Sequence, residues 1–259
     1  MLLAIDVGNT NITCGVFDGD EMMATFRITT KESRTSDEYG FLFNNMIEKN
    51  RIKPSAVKSI IFSSVVPKIN YSIGSALIKY FGINPVIVDS QMDMGLGMGD
   101  YDPHQVGADR LVDAAAAYAI YGGPVIVIDY GTATTYDLVT SDGTFVGGVT
   151  APGAQSAAAT LWKSTAQLPE VEIVKPETVI AKNTVTSMQA GIYYTLIGQT
   201  EAIVRQLKEE AGEEVKTIVA TGGLGNLITA GTNVIDLYNP NLTMEGLRII
   251  YERQVGKSG

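Results

Sequence analysis

Asp6-Val7-Gly8-Asn9-Thr10-Asn11 and Asp129-Tyr130-Gly131-Thr132-Ala133-Thr134-Thr135 repeat one arrangement: an apolar strand delivers a carboxylate, then a glycine, then small hydroxyl or amide side chains. Glycine permits close backbone approach and unusual dihedrals. Threonine and asparagine offer hydrogen-bond donors, and a carboxylate can hold a hydrated cation that bridges phosphate oxygens. Given twice in one chain, the pattern predicts a phosphate clamp. A third acid, Asp109, falls in Gly107-Ala108-Asp109-Arg110 near the start of a predicted helix. The helix dipole, worth about 0.3–1 kcal/mol, is enough to explain a carboxylate there. Arg110 carries a fork of donors that suits a carboxylate ligand and equally suits an exposed helix.

The elements that would position these residues come in one order, twice. Strands are predicted at Leu2 to Val7, Ile12 to Phe17 and Met22 to Ile28, parted by turn residues Gly8-Asn9 and Asp18-Gly19-Asp20, which makes a meander. A helix from about Asp37 to Lys49 is announced by Thr35 and Glu38 in capping-box spacing. A strand at Ser59 to Ser63, a helix after Pro67, a strand at Val86 to Val88 and a helix from Val106 to Ile120 complete the first half. After Gly122-Gly123-Pro124 the order restarts with strands at Val125 to Ile128, Thr134 to Val139 and Thr144 to Val149. Helices follow Pro152 and Thr184, then a strand at Thr217 to Ala220, a short helix, a strand at Val234 to Leu237 and a helix from about Leu242. The expectation is two α/β domains, residues 1–121 and 122–259, with a central cleft between their phosphate-binding turns.

Composition narrows the chemistry. Hydrophobic residues make up 45% and charged residues 18%, and Leu2 to Ile5 is too short an apolar run for a leader or a membrane span, so a cytoplasmic protein is expected. One cysteine, Cys14, and one histidine, His104, exclude an intramolecular disulfide and a Cys/His metal site, so any metal must prefer oxygen. A net charge of −9 disfavours nucleic acid and anionic membrane as partners. No G-x-x-x-x-G-K-[ST] is present, and Gly95-Leu96-Gly97-Met98-Gly99 lacks dinucleotide-fingerprint spacing and reads as a flexible loop. Gly222-Gly223 suits either a nucleotide base or ribose against bare backbone or close packing of helix on strand.

Five segments together carry a resemblance: Asp6 to Asn11, Gly107 to Arg110, Asp129 to Thr135, Gly147-Gly148-Val149-Thr150-Ala151-Pro152-Gly153 and Thr221-Gly222-Gly223, supported by Ser63 to Pro67 and Lys182 to Val185. The chain resembles the type III pantothenate kinases over essentially its whole length. That family belongs to the acetate and sugar kinase, Hsp70 and actin superfamily, so the resemblance implies two duplicated ribonuclease-H-like (actin-like ATPase) domains. It also implies ATP-dependent phosphorylation of pantothenate to 4′-phosphopantothenate, the first step of coenzyme A synthesis, by a homodimer using Mg2+ with ATP and K+ or NH4+. An actin-like or Hsp70-like ATP-driven switch, or a catalytically silent ATP-binding homologue, are the alternatives. The first would need extra subdomains for which the length leaves no room.

Residue by residue, the resemblance makes Asp109 the general base and places Gly107, Ala108, Asp109, Arg110 and Thr184 against substrate. It places Asp6, Val7, Gly8, Asn9, Thr10, Asn11, Ile12, Thr13 and Thr132 around ATP, with Asp6 orienting magnesium. Asp129 would hold the monovalent cation, although its sequence equally permits a magnesium role. Thr184 precedes a long predicted helix, where N-capping worth about 1 kcal/mol would account for it without a ligand. The chain departs from the family at one place: the substrate-contacting tyrosine is usually three residues before the proline preceding Gly-Ala-Asp-Arg, and here that position is Asp100, with Tyr101 one residue later. His104, Trp162, Met92 to Met98 and the charges from Lys208 to Glu214 read as bystander, packing, mobile loop and solvated helix.

Overall fold

The computed structural model describes residues 1–256. Strands β1 (Leu2–Val7), β2 (Asn11–Asp18) and β3 (Glu21–Thr29) form the expected antiparallel meander, with Gly19 at φ +59° in the second turn. The chain then forms helix α1 (Ser36–Lys49) and returns as β4 (Ser59–Ser64), parallel to β1. Helix α2 (Pro67–Phe81) leads to β5 (Val86–Ile87), parallel to β4, so the sheet runs β3-β2-β1-β4-β5. The capping box is present: the Glu38 amide donates to Thr35 Oγ1 at 3.3 Å and the Thr35 amide to Glu38 Oε2 at 2.7 Å. Period-two alternation sends Leu3, Ile5, Val7, Ile12, Cys14, Val16, Ile60 and Phe62 to one face. There they pack with Tyr39, Phe43 and Ile47 of α1 and Ile69, Ile73 and Leu77 of α2. Cys14 is buried, and burial, reinforced by the Asp6 charge, pushes its thiol up well beyond the ordinary range, which removes it from chemistry.

A two-residue strand, β6 (Gly97–Met98), precedes helix α3 (Ala108–Tyr121). The second meander is β7 (Val125–Tyr130), β8 (Ala133–Val139) and β9 (Thr144–Pro152). Helices α4 (Ala154–Lys163) and α5 (Thr184–Glu210) follow, then β10 (Thr217–Thr221) parallel to β7, the short α6 (Gly225–Thr229), β11 (Leu237–Tyr238) and α7 (Leu242–Gly256). This sheet runs β11-β10-β7-β8-β9-β6. Without β6 its order is that of the first sheet, so the chain consists of two duplicated ribonuclease-H-like α/β domains.

Two compact units result. The first comprises Met1–Gly95, Asp102–Ala116 and the chain from Thr243; the second comprises Leu96–Tyr101 and Ala117–Leu242. Within the first unit, α7 lies close on α3, because a Cβ at Gly246 would fall 2.6 Å from the Val112 carbonyl oxygen. Among the described residues no helix is long and apolar enough to cross a membrane. Within the predicted flexible loop from Gly95 to Gly99, Gly97 and Met98 are instead strand: the Gly97 amide donates to the Gly143 carbonyl at 2.9 Å and that of Gly99 to Phe145 at 3.0 Å. The predicted strand at Val234 to Leu237 begins later, as β11.

Candidate active site

In the first unit Asp6 stands one residue before the end of β1, in register with Thr13 on β2 and Ser63 on β4. Its neighbours Ile5 and Val7 face the helical core, so the pleat turns Asp6, Thr13 and Ser63 to the other face of the sheet. A hydroxyl therefore flanks the carboxylate on each side. The following turn is pinned from β3: the Gly8 amide donates to Asn11 O at 3.0 Å, Thr30 Oγ1 to Gly8 O at 2.8 Å and the Thr30 amide to Thr10 O at 3.0 Å. Asn9 and Asn11 are exposed at its tip and Thr10 is half-buried. Val7 and Ile12 are fully buried, so their side chains belong to the core and only their backbone can face a ligand.

The second unit repeats the row with different walls. Asp129 is in register with Thr135 on β8 and Thr221 on β10, and Thr135 with Thr150 on β9. Two glycines leave room for its carboxylate: a Cβ at Gly131 would fall 2.9 Å from Oδ2, and one at Gly222 would fall 2.4 Å from Oδ1. Gly222 sits at φ +84°, so its conformation also excludes most side chains. Thr132 is exposed at the turn; its carbonyl accepts a bond from Ser156 Oγ at 3.3 Å, and a Cβ at Gly153 would collide with it at 2.1 Å.

Asp109 lies in the first turn of α3, in the first unit. Its Oδ1 accepts the Arg110 amide at 2.9 Å, and a Cβ at Gly107 would fall 2.4 Å from the same oxygen, so the carboxylate folds back over a position that must be bare. Gly107 also starts the helix, its carbonyl accepting from the Arg110 and Leu111 amides at 3.1 and 3.3 Å. Ala108, Asp109 and Arg110 are all half-buried. The approach to this turn is fixed by Asp102, which accepts the His104 amide at 3.0 Å and is held below the usual carboxylate range by that bond and by Gln105. Asp113, one helical turn beyond Asp109, is nearly fully buried, a carboxylate the motif did not single out.

Tyr101 and Thr184 belong to the second unit. The Tyr101 ring covers Gly147, where a Cβ would lie 3.2 Å from it, and meets Phe145 edge-on at 6.0 Å between centroids. Packing thus occupies the body of this tyrosine. The expected N-cap is displaced by one residue: Asn183 caps α5, its Oδ1 accepting the Thr186 amide at 2.9 Å, while Thr184 is the first helical residue and is exposed. Its hydroxyl is therefore not committed to capping. Thr184 lines a pocket of about 560 Å³ together with Leu161, Leu168, Lys182, Ser187 and Met188.

No cluster of three or more His, Cys, Asp and Glu side chains that could hold a metal ion is found among the described residues. Single carboxylates flanked by hydroxyls, as at Asp6 and Asp129, fit a cation that completes its shell with water and phosphate oxygens. Ser63 and Thr221 entered the sequence reading only as members of motifs, and Gly107, Gly131 and Gly222 were not read there as making room for a carboxylate. Strand register and backbone distance reveal them.

A family model described as Type III pantothenate kinase matches residues 2–206. A type III pantothenate kinase of Agathobacter rectalis is 53% identical over 254 residues, covering 98% of this chain and 98% of that protein. Another from Bifidobacterium longum is 46% identical over 255 residues, covering 98% and 100%. Among solved structures, a Baf family protein of Campylobacter jejuni matches with a TM-score of 0.62 at 18% identity, covering 98% of this chain and 99% of that one, a likeness of fold. The paired acid-glycine turns, the Gly-Ala-Asp-Arg helix start and full-length identity near one half agree: the chain belongs to the type III pantothenate kinase family.

Proposed function

We propose that this protein transfers the γ-phosphoryl group of ATP to the primary hydroxyl of pantothenate, giving 4′-phosphopantothenate for coenzyme A synthesis, with Asp109 as the base. The observation that carries the assignment is the fit between Asp109 and Gly107, where a Cβ would stand 2.4 Å from the carboxylate oxygen. A carboxylate given room by the bare glycine and held by the Arg110 amide at 2.9 Å is suited to accept a proton from an incoming alcohol as its oxygen attacks phosphorus. Arg110 supplies a forked cation for the pantothenate carboxylate, and Gly107 and Ala108 let the substrate lie against backbone. A divalent ion bound with ATP neutralises charge developing on the β- and γ-phosphates. We assign Asp6 and the turn from Gly8 to Thr13 as ATP-binding residues of a lobe of residues 1–121, and Thr132 as an ATP-binding residue of a lobe of residues 122–259. Asp129, with hydroxyls beside it and glycine around it, holds K+ or NH4+. Thr184 and Tyr101 contact substrate, and the protein works as a cytoplasmic homodimer.

A coupled assay for ADP release tests the reading: formation should depend on pantothenate and not on other hydroxylated carboxylates. Asp109→Asn should fold normally and lose roughly 10²–10⁴-fold in kcat. A folded Asn variant at full rate removes Asp109 as base, and ADP release indifferent to pantothenate removes the substrate.

A further inference from the structure

Two consecutive serines at the end of β4 have opposite fates. Ser64 is fully engaged at the start of α2, donating to Asn70 Oδ1 at 2.6 Å and accepting the Val66 amide at 3.0 Å. Ser63 is completely buried, and its hydroxyl has no hydrogen-bond partner among the described residues. A buried hydroxyl left unbonded destabilises a fold, and native proteins keep few of them. An alanine would fill the same space without that cost.

The register says what Ser63 stands beside. It pairs with Asp6 across the parallel β1–β4 ladder, on the face turned away from Phe62 and the α1–α2 core. Paired side chains on adjacent strands are about 5 Å apart at Cβ, so rotation about one χ1 brings the hydroxyl within reach of its neighbour. In the second lobe the position beside the acid is also a buried hydroxyl residue, Thr221 next to Asp129.

We infer that Ser63 is a positioning residue for Asp6, its hydroxyl donating to the Asp6 carboxylate in the nucleotide-loaded protein and fixing that carboxylate's orientation toward the cation. The inference deepens the kinase reading and rests on its ATP site.

The test separates stability from ligand response in the full-length chain. Ser63→Ala should melt at the wild-type temperature or higher without ligand. Its stabilisation by Mg·ATP, measured without pantothenate, should shrink. The Mg2+ concentration for half-maximal activity should rise roughly tenfold, the loss expected for one hydrogen bond to a charged group. Ser63→Thr, which copies Thr221, should restore the Mg2+ dependence. A Ser63→Ala protein that melts several degrees lower without ligand overturns the inference by giving the hydroxyl a structural bond. An unchanged Mg·ATP response, or a wild-type protein that does not respond to Mg·ATP at all, overturns it as well. Because the thermal arm uses no pantothenate, it still decides the role of Ser63 if the substrate assignment fails.

Discussion

The two lobes present an acid at the same place in the same sheet order and hold it by different means. Asp6 is bordered by Thr13 and Ser63, and a Cβ at the glycine of its turn, Gly8, would meet only the Asn11 carbonyl, at 3.2 Å. Asp129 has the matching hydroxyls, Thr135 and Thr221, but is also enclosed by Gly131 and Gly222. The position after the hydroxyl of the inner strand is Ser64 in the first lobe, bonded into a helix start, and Gly222 in the second, bent at φ +84° around the carboxylate. A duplicated scaffold thus fixes where an acid stands, while the residue after the neighbouring hydroxyl decides which groups wall it in.

The sharpest way to break this comparison is Gly222→Ala. The new methyl would lie 2.4 Å from Asp129 Oδ1 and 2.6 Å from the Tyr130 carbonyl carbon, on a backbone already in the left-handed region. Backbone cannot yield as a side chain tip can, so the change should cost about 3 kcal/mol and lower the melting midpoint by roughly 6–12 °C. Calorimetry checks it. A loss below a few degrees would mean that the enclosure of Asp129 is loose and that the lobes do not differ in this respect.

The cores behind the acids differ in the same direction. Where β1 and β2 bury Val7 and Cys14, the register of β7 and β8 puts Tyr130 and Tyr136. Thr200 of α5, itself fully buried, joins their phenols at 2.8 and 3.2 Å, and Gln199 Nε2 donates to Tyr136 at 3.2 Å. Burial pushes the Tyr130 phenol up beyond the ordinary range, so that phenol stays neutral at physiological pH. The first lobe is held by apolar packing there and the second by a hydroxyl network tied to its longest helix. Thr200→Val keeps the shape and removes the hydroxyl that joins the two phenols, and should cost about 2 kcal/mol by thermal melting. A neutral result would show that the network contributes nothing to the second lobe.

Much of this was legible in the chain because it is local. Gly19 and Asp18 to Asp20 announce a turn by their own dihedral needs, and Thr35 with Glu38 spells out a capping box within four residues. The two acid-glycine turns repeat in sequence as they do in space. What escaped depends on pairing between distant strands or on a shift of one residue. Gly97 and Met98 carry no strand propensity, and β6 exists only because β9 offers an open edge. Gly222 is shaped by Asp129 through the β7–β10 ladder, which sequence reading treated as a choice between a nucleotide base and helix packing. Asn183 and Thr184 are both good caps, and only the helix phase chooses Asn183. Ser63 looked like one letter of a motif until register set it beside Asp6.

Gly107→Ala is the mildest change for stability and sharpens the contrast with Gly222. Both glycines stand 2.4 Å, by their would-be Cβ, from a carboxylate oxygen, yet at Gly107 that oxygen is the nearest obstacle and the next contact is 3.6 Å away on the same side chain. Asp109 can swing aside where the Tyr130 backbone cannot. The Ala variant should therefore melt within about 1 kcal/mol of the parent. Its kcat should fall about tenfold to a hundredfold, because Asp109, the base we propose, leaves the place the bare glycine reserves for it. Retained kcat in a normally folded variant would mean that Gly107 does not set the orientation of Asp109, and that only the second lobe uses glycine to hold an acid.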